Sequence, residues 1–113
     1  METGETINPI EREIEKLNRN FDNLPIGGEI DLKMSMVHPI DIDDLSEPRT
    51  SGPIEVARDQ KTKEIKIDDG DHRFYKVKRR LLAENDYHEP DWRTIDITVK
   101  KVYPTNTWII NQK

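Results

Sequence analysis

Asp68, Asp69, Asp71, His72 and Arg73 gather around a single glycine, Gly70, in the run IKIDDGDHRFYKVKRR from Ile65 to Arg80. An alternating, strand-like stretch leads into the turn and a basic, helix-like stretch leaves it. A helix that begins here directs its first backbone N–H groups and the positive end of its dipole at the turn, and a glycine lets an anion come close to the backbone. That chemistry suits a phosphate. Arg73 brings a planar fork of donors and His72 donates when protonated, so Gly70, His72 and Arg73 are the candidate phosphate ligands. The carboxylates of Asp68, Asp69 and Asp71 would repel the same anion. A magnesium ion resolves the conflict, because Mg²⁺ is commonly held by one or two carboxylates together with substrate phosphates. Asp69 and Asp71 are then the metal candidates, and Asp69, Asp71 and His72 the catalytic ones, with His72 assisting proton transfer. The bland alternative is a capped helix: Asp71 as the cap, Asp68 and Asp69 as turn residues, Arg73 in a surface ion pair.

The elements that must hold this turn follow from periodicity. Asn8-Pro9-Ile10-Glu11 reads as a helix start, with Asn8 capping, Pro9 at the first helical position and Glu11 closing a capping box. Ile10, Ile14, Leu17 and Phe21 then draw one apolar stripe, and Asn23 to Gly28 supply the breakers, which gives a helix over 8–23. From Glu29 to Ile42 the alternation of Ile30, Leu32, Met34 and Met36 predicts a strand with a register change near His38-Pro39. A helical turn is expected over Asp41 to Leu45 and a loop over Ser46 to Pro53. Ile54 to Arg58 and Glu64 to Ile67 form a hairpin; Phe74, Val77, Leu81 and Leu82 mark the helix after the turn; Thr94 to Val99 reads as the last strand. Residues 1–7 carry no periodicity and are expected to be disordered. Trp108-Ile109-Ile110 in the tail, 103–113, calls for a cover.

Composition narrows the options. With 113 residues the chain is one domain, over 8–113, and its 36% charged and 33% hydrophobic residues surround a small core with a solvated surface. The net charge of −5 opposes general affinity for nucleic acid or anionic membrane. The local exception is the cluster of Lys76, Lys78, Arg79 and Arg80. There Lys76, Arg79 and Arg80 could track a nucleic-acid backbone, with Tyr75 stacking a base. Without cysteine there is no disulfide, thiolate zinc site or thiol chemistry. His38, His72 and His88 have no metal-ligand spacing. No apolar run reaches membrane-spanning length and the N-terminus is too polar for a secretory signal, so a cytoplasmic protein is expected.

On these residues, Ile54 to Val99 resembles the ParB and sulfiredoxin superfamily, whose glycine turns read DGHHR, GERR or GCHR where this chain has Asp69-Gly70-Asp71-His72-Arg73. Val37 to Leu45 followed by Pro48-Arg49 looks like the opening strand and turn of the ParB-like domain, so the likeness covers about 36–102. It implies an α+β fold: a small mixed sheet in which a strand hairpin leads through a glycine turn into a helix, here with an added N-terminal helix. It also implies a nucleotide or nucleic-acid phosphate bound at the turn, with Mg²⁺-dependent phosphotransfer or nuclease chemistry as its active form. Sulfiredoxin activity is excluded, because the position of its cysteine is held by Asp71. The competing expectation is a non-catalytic acidic adaptor or inhibitor of the kind that phages, plasmids and other mobile elements encode, acting on a protein partner through the N-terminal helix or the C-terminal tail.

Overall fold

A computed structural model describes residues 8–39 and 53–105. Helix α1 (Pro9–Asn23) starts with the expected cap and proline: Asn8 sits in extended conformation and its Oδ1 accepts from the Ile10 amide at 2.7 Å. Ile14, Leu17 and Phe21 pack on the core, so the stripe is the face that docks on its own domain. The chain then forms β1 (Glu29–Lys33), a 3-10 turn (Met34–Met36) and the two-residue β2 (Val37–His38). The expected single strand is thus broken earlier than His38-Pro39. Met34 and Met36 are both buried, and the Met34 amide donates to the Ile95 carbonyl at 2.7 Å, which ties the break to the far end of the chain. The expected helical turn at Asp41 to Leu45, most of the loop after it, the N-terminal seven residues and Trp108 to Ile110 lie outside the described residues.

Strands β3 (Ile54–Arg58) and β4 (Ile65–Asp69) make the hairpin, with an irregularity between Glu55 and Val56. The second strand extends two residues beyond the sequence reading, so Asp68 and Asp69 belong to β4 and are not turn residues. Helix α2 (Asp71–Glu84) follows at once, and a 3-10 turn (Trp92–Thr94) leads into β5 (Asp96–Lys101). The sheet is mixed and five-stranded, in the order β1-β5-β3-β4-β2. β5 pairs antiparallel with β1 and parallel with β3, while β4 pairs antiparallel with β3 and parallel with β2. The architecture is therefore α+β, with two α-helices among the described residues.

Ile54, Val56, Ile65, Ile67, Ile97 and Val99 alternate along the three inner strands and form one cluster with Phe21 of α1 and Phe74 of α2. Val77 and Leu81 join it from α2; Leu82, expected on the same stripe, is half-buried and stands outside that cluster. The alternation carries Arg58 and Lys101 to the same side of their strands as the core, and both are used there. Their cationic groups stand 5.5 Å and 5.4 Å from the centroid of the Phe21 ring, on which they make cation–π contacts. Lys101 Nζ donates to the carbonyls of Leu24 at 2.8 Å and of Phe21 and Asp22 at 3.3 Å, so the orphan carbonyls at the end of α1 are capped from β5. Burial pushes this ammonium below the usual lysine range, an effect that Asp22 opposes and Arg58 reinforces.

At the hairpin loop, Asp59 is 1% exposed. Its carboxylate accepts from the amides of Lys61 at 2.7 Å and Thr62 at 3.2 Å and pairs with Lys66 Nζ at 2.9 Å. Burial alone would raise its pKa, but the Lys66 ammonium and the two amides together outweigh that and hold the carboxyl below its ordinary value of 3.8. The unfolded chain therefore binds this proton more readily than the native one. Stability contributed by Asp59 is fully present above about pH 4 and lost as the pH falls through the lower, folded value. Asp59→Asn should flatten that acid limb in urea unfolding curves measured from pH 5 downward; a limb identical to the wild type's would show that the carboxylate contributes nothing there.

Candidate functional site at the strand-to-helix turn

The turn is built by one residue. Gly70 has φ +111 and ψ 20, the left-handed region that side chains disfavour, and this conformation lets β4 stop and α2 start with no intervening loop. Gly70 itself is the N-cap, and the Phe74 amide donates to its carbonyl at 2.9 Å to close the first turn. Asp71, expected as the cap, is instead the first helical residue. The reason is that a positive φ takes the chain from strand to helix within a single position, which leaves no extended residue for a side-chain cap.

Close approach to Gly70 is realised, but by the protein itself. A Cβ there would stand 3.2 Å from Arg73 Nη2, 3.3 Å from Arg73 Cζ and 3.3 Å from Ile54 Cγ1. Arg73, expected in a surface ion pair under the bland reading, is only 7% exposed. Its Nη1 donates to the Pro53 carbonyl at 2.9 Å and its Nη2 to Asp69 Oδ2 at 2.7 Å. One guanidinium thus joins the entry to β3, the exit of β4 and the first turn of α2. Gly70→Ala meets both constraints at once, the left-handed backbone and the guanidinium, and should cost about 1–3 kcal/mol in chemical denaturation. A neutral result would mean that neither constraint is felt.

The structure brings Asp69, Gly70 and Arg73 into one contact and leaves Asp71 and His72 half-buried on the first turn of α2. Asp69 has a half-exposed side chain, and one of its oxygens already serves Arg73. Among the described residues no three His, Asp or Glu side chains converge in a way that could hold a metal ion. The basic cluster divides: Lys76, Arg79 and Arg80 are exposed, Arg80 lying 3.9 Å from Glu84, whereas Lys78 turns inward over the rings of Trp92 at 5.4 Å and Phe74 at 6.0 Å.

Sequence reasoning missed the groove next to this inward lysine. Met34, Val37, Phe74 and Trp92 line it, and His38 and Lys78 bring polar groups to it. The Trp92 indole N–H donates to Glu89 at 2.6 Å, which fixes the ring. The available signal was the spacing of Phe74 and Lys78 four residues apart, which puts them on one face of a helix.

What the fold and this turn define is an α+β domain in which a hairpin of a mixed sheet passes through a left-handed glycine into a helix. Compared with protein-family models, with curated proteins and with solved structures, the chain matches none of them. Among the described residues no helix is long and apolar enough to cross a membrane.

Proposed function

We propose that the chain is a ParB-like domain that binds the phosphate of a nucleotide or nucleic acid at Asp69-Gly70-Asp71-His72-Arg73. The observation that carries this reading is the direct passage from β4 through Gly70 into α2, with the Arg73 guanidinium packed against the glycine. The positive helix end and a fixed arginine, whose charge is shared with Asp69, thus meet at one point. A phosphate gains the first-turn amides and His72. It reaches Arg73 by sharing it with Asp69 or by taking that carboxylate's place. In the active form of the proposal Asp69 and Asp71 meet Mg²⁺ that arrives with the phosphates, and His72 moves a proton to make phosphotransfer or nuclease chemistry possible. For a nucleic-acid ligand, Lys76, Arg79 and Arg80 extend the contact along α2. Binding should then weaken steeply as salt is raised.

Titration of ATP, ADP and CTP with Mg²⁺, followed by amide shifts, is expected to move Gly70 to Phe74. No response at millimolar nucleotide would overturn the proposal. One observation favours the second reading, the adaptor: the guanidinium is already paired and the space over Gly70 is filled by Arg73 and Ile54. For that reading α1 offers its charged outer face and Ile10, because Ile14, Leu17 and Phe21 are spent on the core. The rest of the tail beyond residue 105 lies outside the described residues.

A further inference from the structure

We propose that the groove along α1 is a docking surface for an acidic amphipathic helix of another protein. The surface is separate from the glycine turn and needs no phosphate there. The groove holds about 590 Å³ and is lined by Pro9, Arg12, Glu13, Lys16, Leu17 and Asn20. These residues fall into two neighbouring rows at intervals of four, Arg12-Lys16-Asn20 and Pro9-Glu13-Leu17. The surface therefore runs about 16 Å along α1, which is the length of about three turns of a second helix.

Charge is the first argument. Glu13 is committed to Lys33, whose Nζ stands 3.4 Å from its carboxylate, whereas the side chains of Arg12, Lys16 and Asn20 have no hydrogen-bond or ion-pair partner among the described residues. Arg12 and Lys16 are exposed like charges four residues apart, a spacing at which they repel on a helix. A carboxylate placed between them turns that repulsion into two attractions. The net charge of −5 opposes an acidic partner at a distance, so affinity rests on contact rather than on long-range steering.

The kind of partner is the second. A nucleic acid brings uniform negative charge and gains from stacking its bases on rings. Here Glu13 lies among the cations, and among the described residues no aromatic side chain lines the groove. A protein helix can match a mixed pattern, with carboxylates four apart opposite Arg12 and Lys16 and apolar side chains on the row that meets Pro9 and Leu17. Leu17 is itself packed against the core, so that row has a fixed apolar end.

The test uses the whole chain, followed by NMR, with three probes: a helical peptide with Glu four residues apart and Leu on the adjoining row, the same peptide with Lys in place of Glu, and oligothymidylate. The Glu peptide should shift the Arg12, Glu13, Lys16 and Asn20 amides and the Arg12 Nε–H. The Arg12→Glu, Lys16→Glu double variant should weaken that peptide about tenfold or more and bind the Lys peptide in its place. Both positions are exposed, and the shift map on the unsubstituted protein keeps the proposal testable if the variant misfolds. Three results would each overturn the proposal: no shift along this row at millimolar Glu peptide, a shift that survives charge reversal, or oligothymidylate occupying the row in preference. The nucleotide titration at Gly70 to Phe74 is read on different signals, so failure here leaves the phosphate reading intact.

Discussion

Phe21→Ala is expected to lower the unfolding free energy by about 3–5 kcal/mol, among the largest losses that any single truncation in this domain should produce. Phe21 is fully buried and is the residue through which α1 enters the common core. Arg58 and Lys101 both lay a cation on its ring, so truncation removes apolar burial and two cation–π contacts together. The carbonyl bonds of Lys101 to the end of α1 remain, because their acceptors are backbone atoms. The helix would keep its cap while losing its anchor. Urea titration should show a lower midpoint at an unchanged m-value, the signature of a stability change without a change in the surface exposed. A loss below about 1 kcal/mol would contradict the packing and revive α1 as a helix held ready for another protein.

The second large effect concerns Arg73. Arg73→Ala should cost about 2–3 kcal/mol, because it removes two hydrogen bonds from a buried guanidinium and the packing of its stem. The value stays below that of a wholly buried pair, since Asp69 has a half-exposed side chain and regains water when released. Asp69→Asn should be milder, about 1 kcal/mol, because an amide oxygen still accepts and the Pro53 carbonyl still holds Nη1. Arg73→Lys should resemble the alanine variant more than the wild type: one ammonium cannot reproduce a fork that spans Pro53 and Asp69. Chemical denaturation of the three variants gives the order directly. Equal stability in all three would remove the joining role assigned to the guanidinium.

The same variants bear on function. If phosphate binds at the turn, Asp69→Asn removes a competing negative charge and should tighten pyrophosphate or nucleotide binding measured without Mg²⁺, and weaken it with Mg²⁺ present if Asp69 holds the metal. If the turn is only structural, the substitution changes stability and nothing else. The two readings under "Proposed function" thus separate on a single conservative change, read by titration on a protein that remains folded.

Legibility in the sequence followed how local each signal was. α1, the hairpin and α2 were readable because the period of their apolar residues is a property of adjacent positions, and the Asn8-Pro9 start names its own cap. The turn at Gly70 was readable for the same reason. The break at Met34–Met36 was not, because Met34, Ser35 and Met36 continue a strand-like alternation, while the 3-10 turn begins where pairing with the distant β5 segment runs out, at the bond from the Met34 amide to the Ile95 carbonyl. Asp59 and Lys101 look like ordinary solvated charges in the sequence. Their burial depends on partners brought by the hairpin loop and by the end of α1.

By itself, then, the sequence determined the kind and approximate span of most described elements and the cluster of ionisable groups at one glycine, because these depend on steric and periodic rules acting over a few residues. Tertiary structure decided the rest. It placed β5 between β1 and β3, drove Arg73 inward to Pro53 and Asp69, and opened a groove where β2, α2 and Trp92 meet. Strand order and side-chain direction at such a junction are set by which distant surfaces must be buried together, and that is a balance struck over the whole chain.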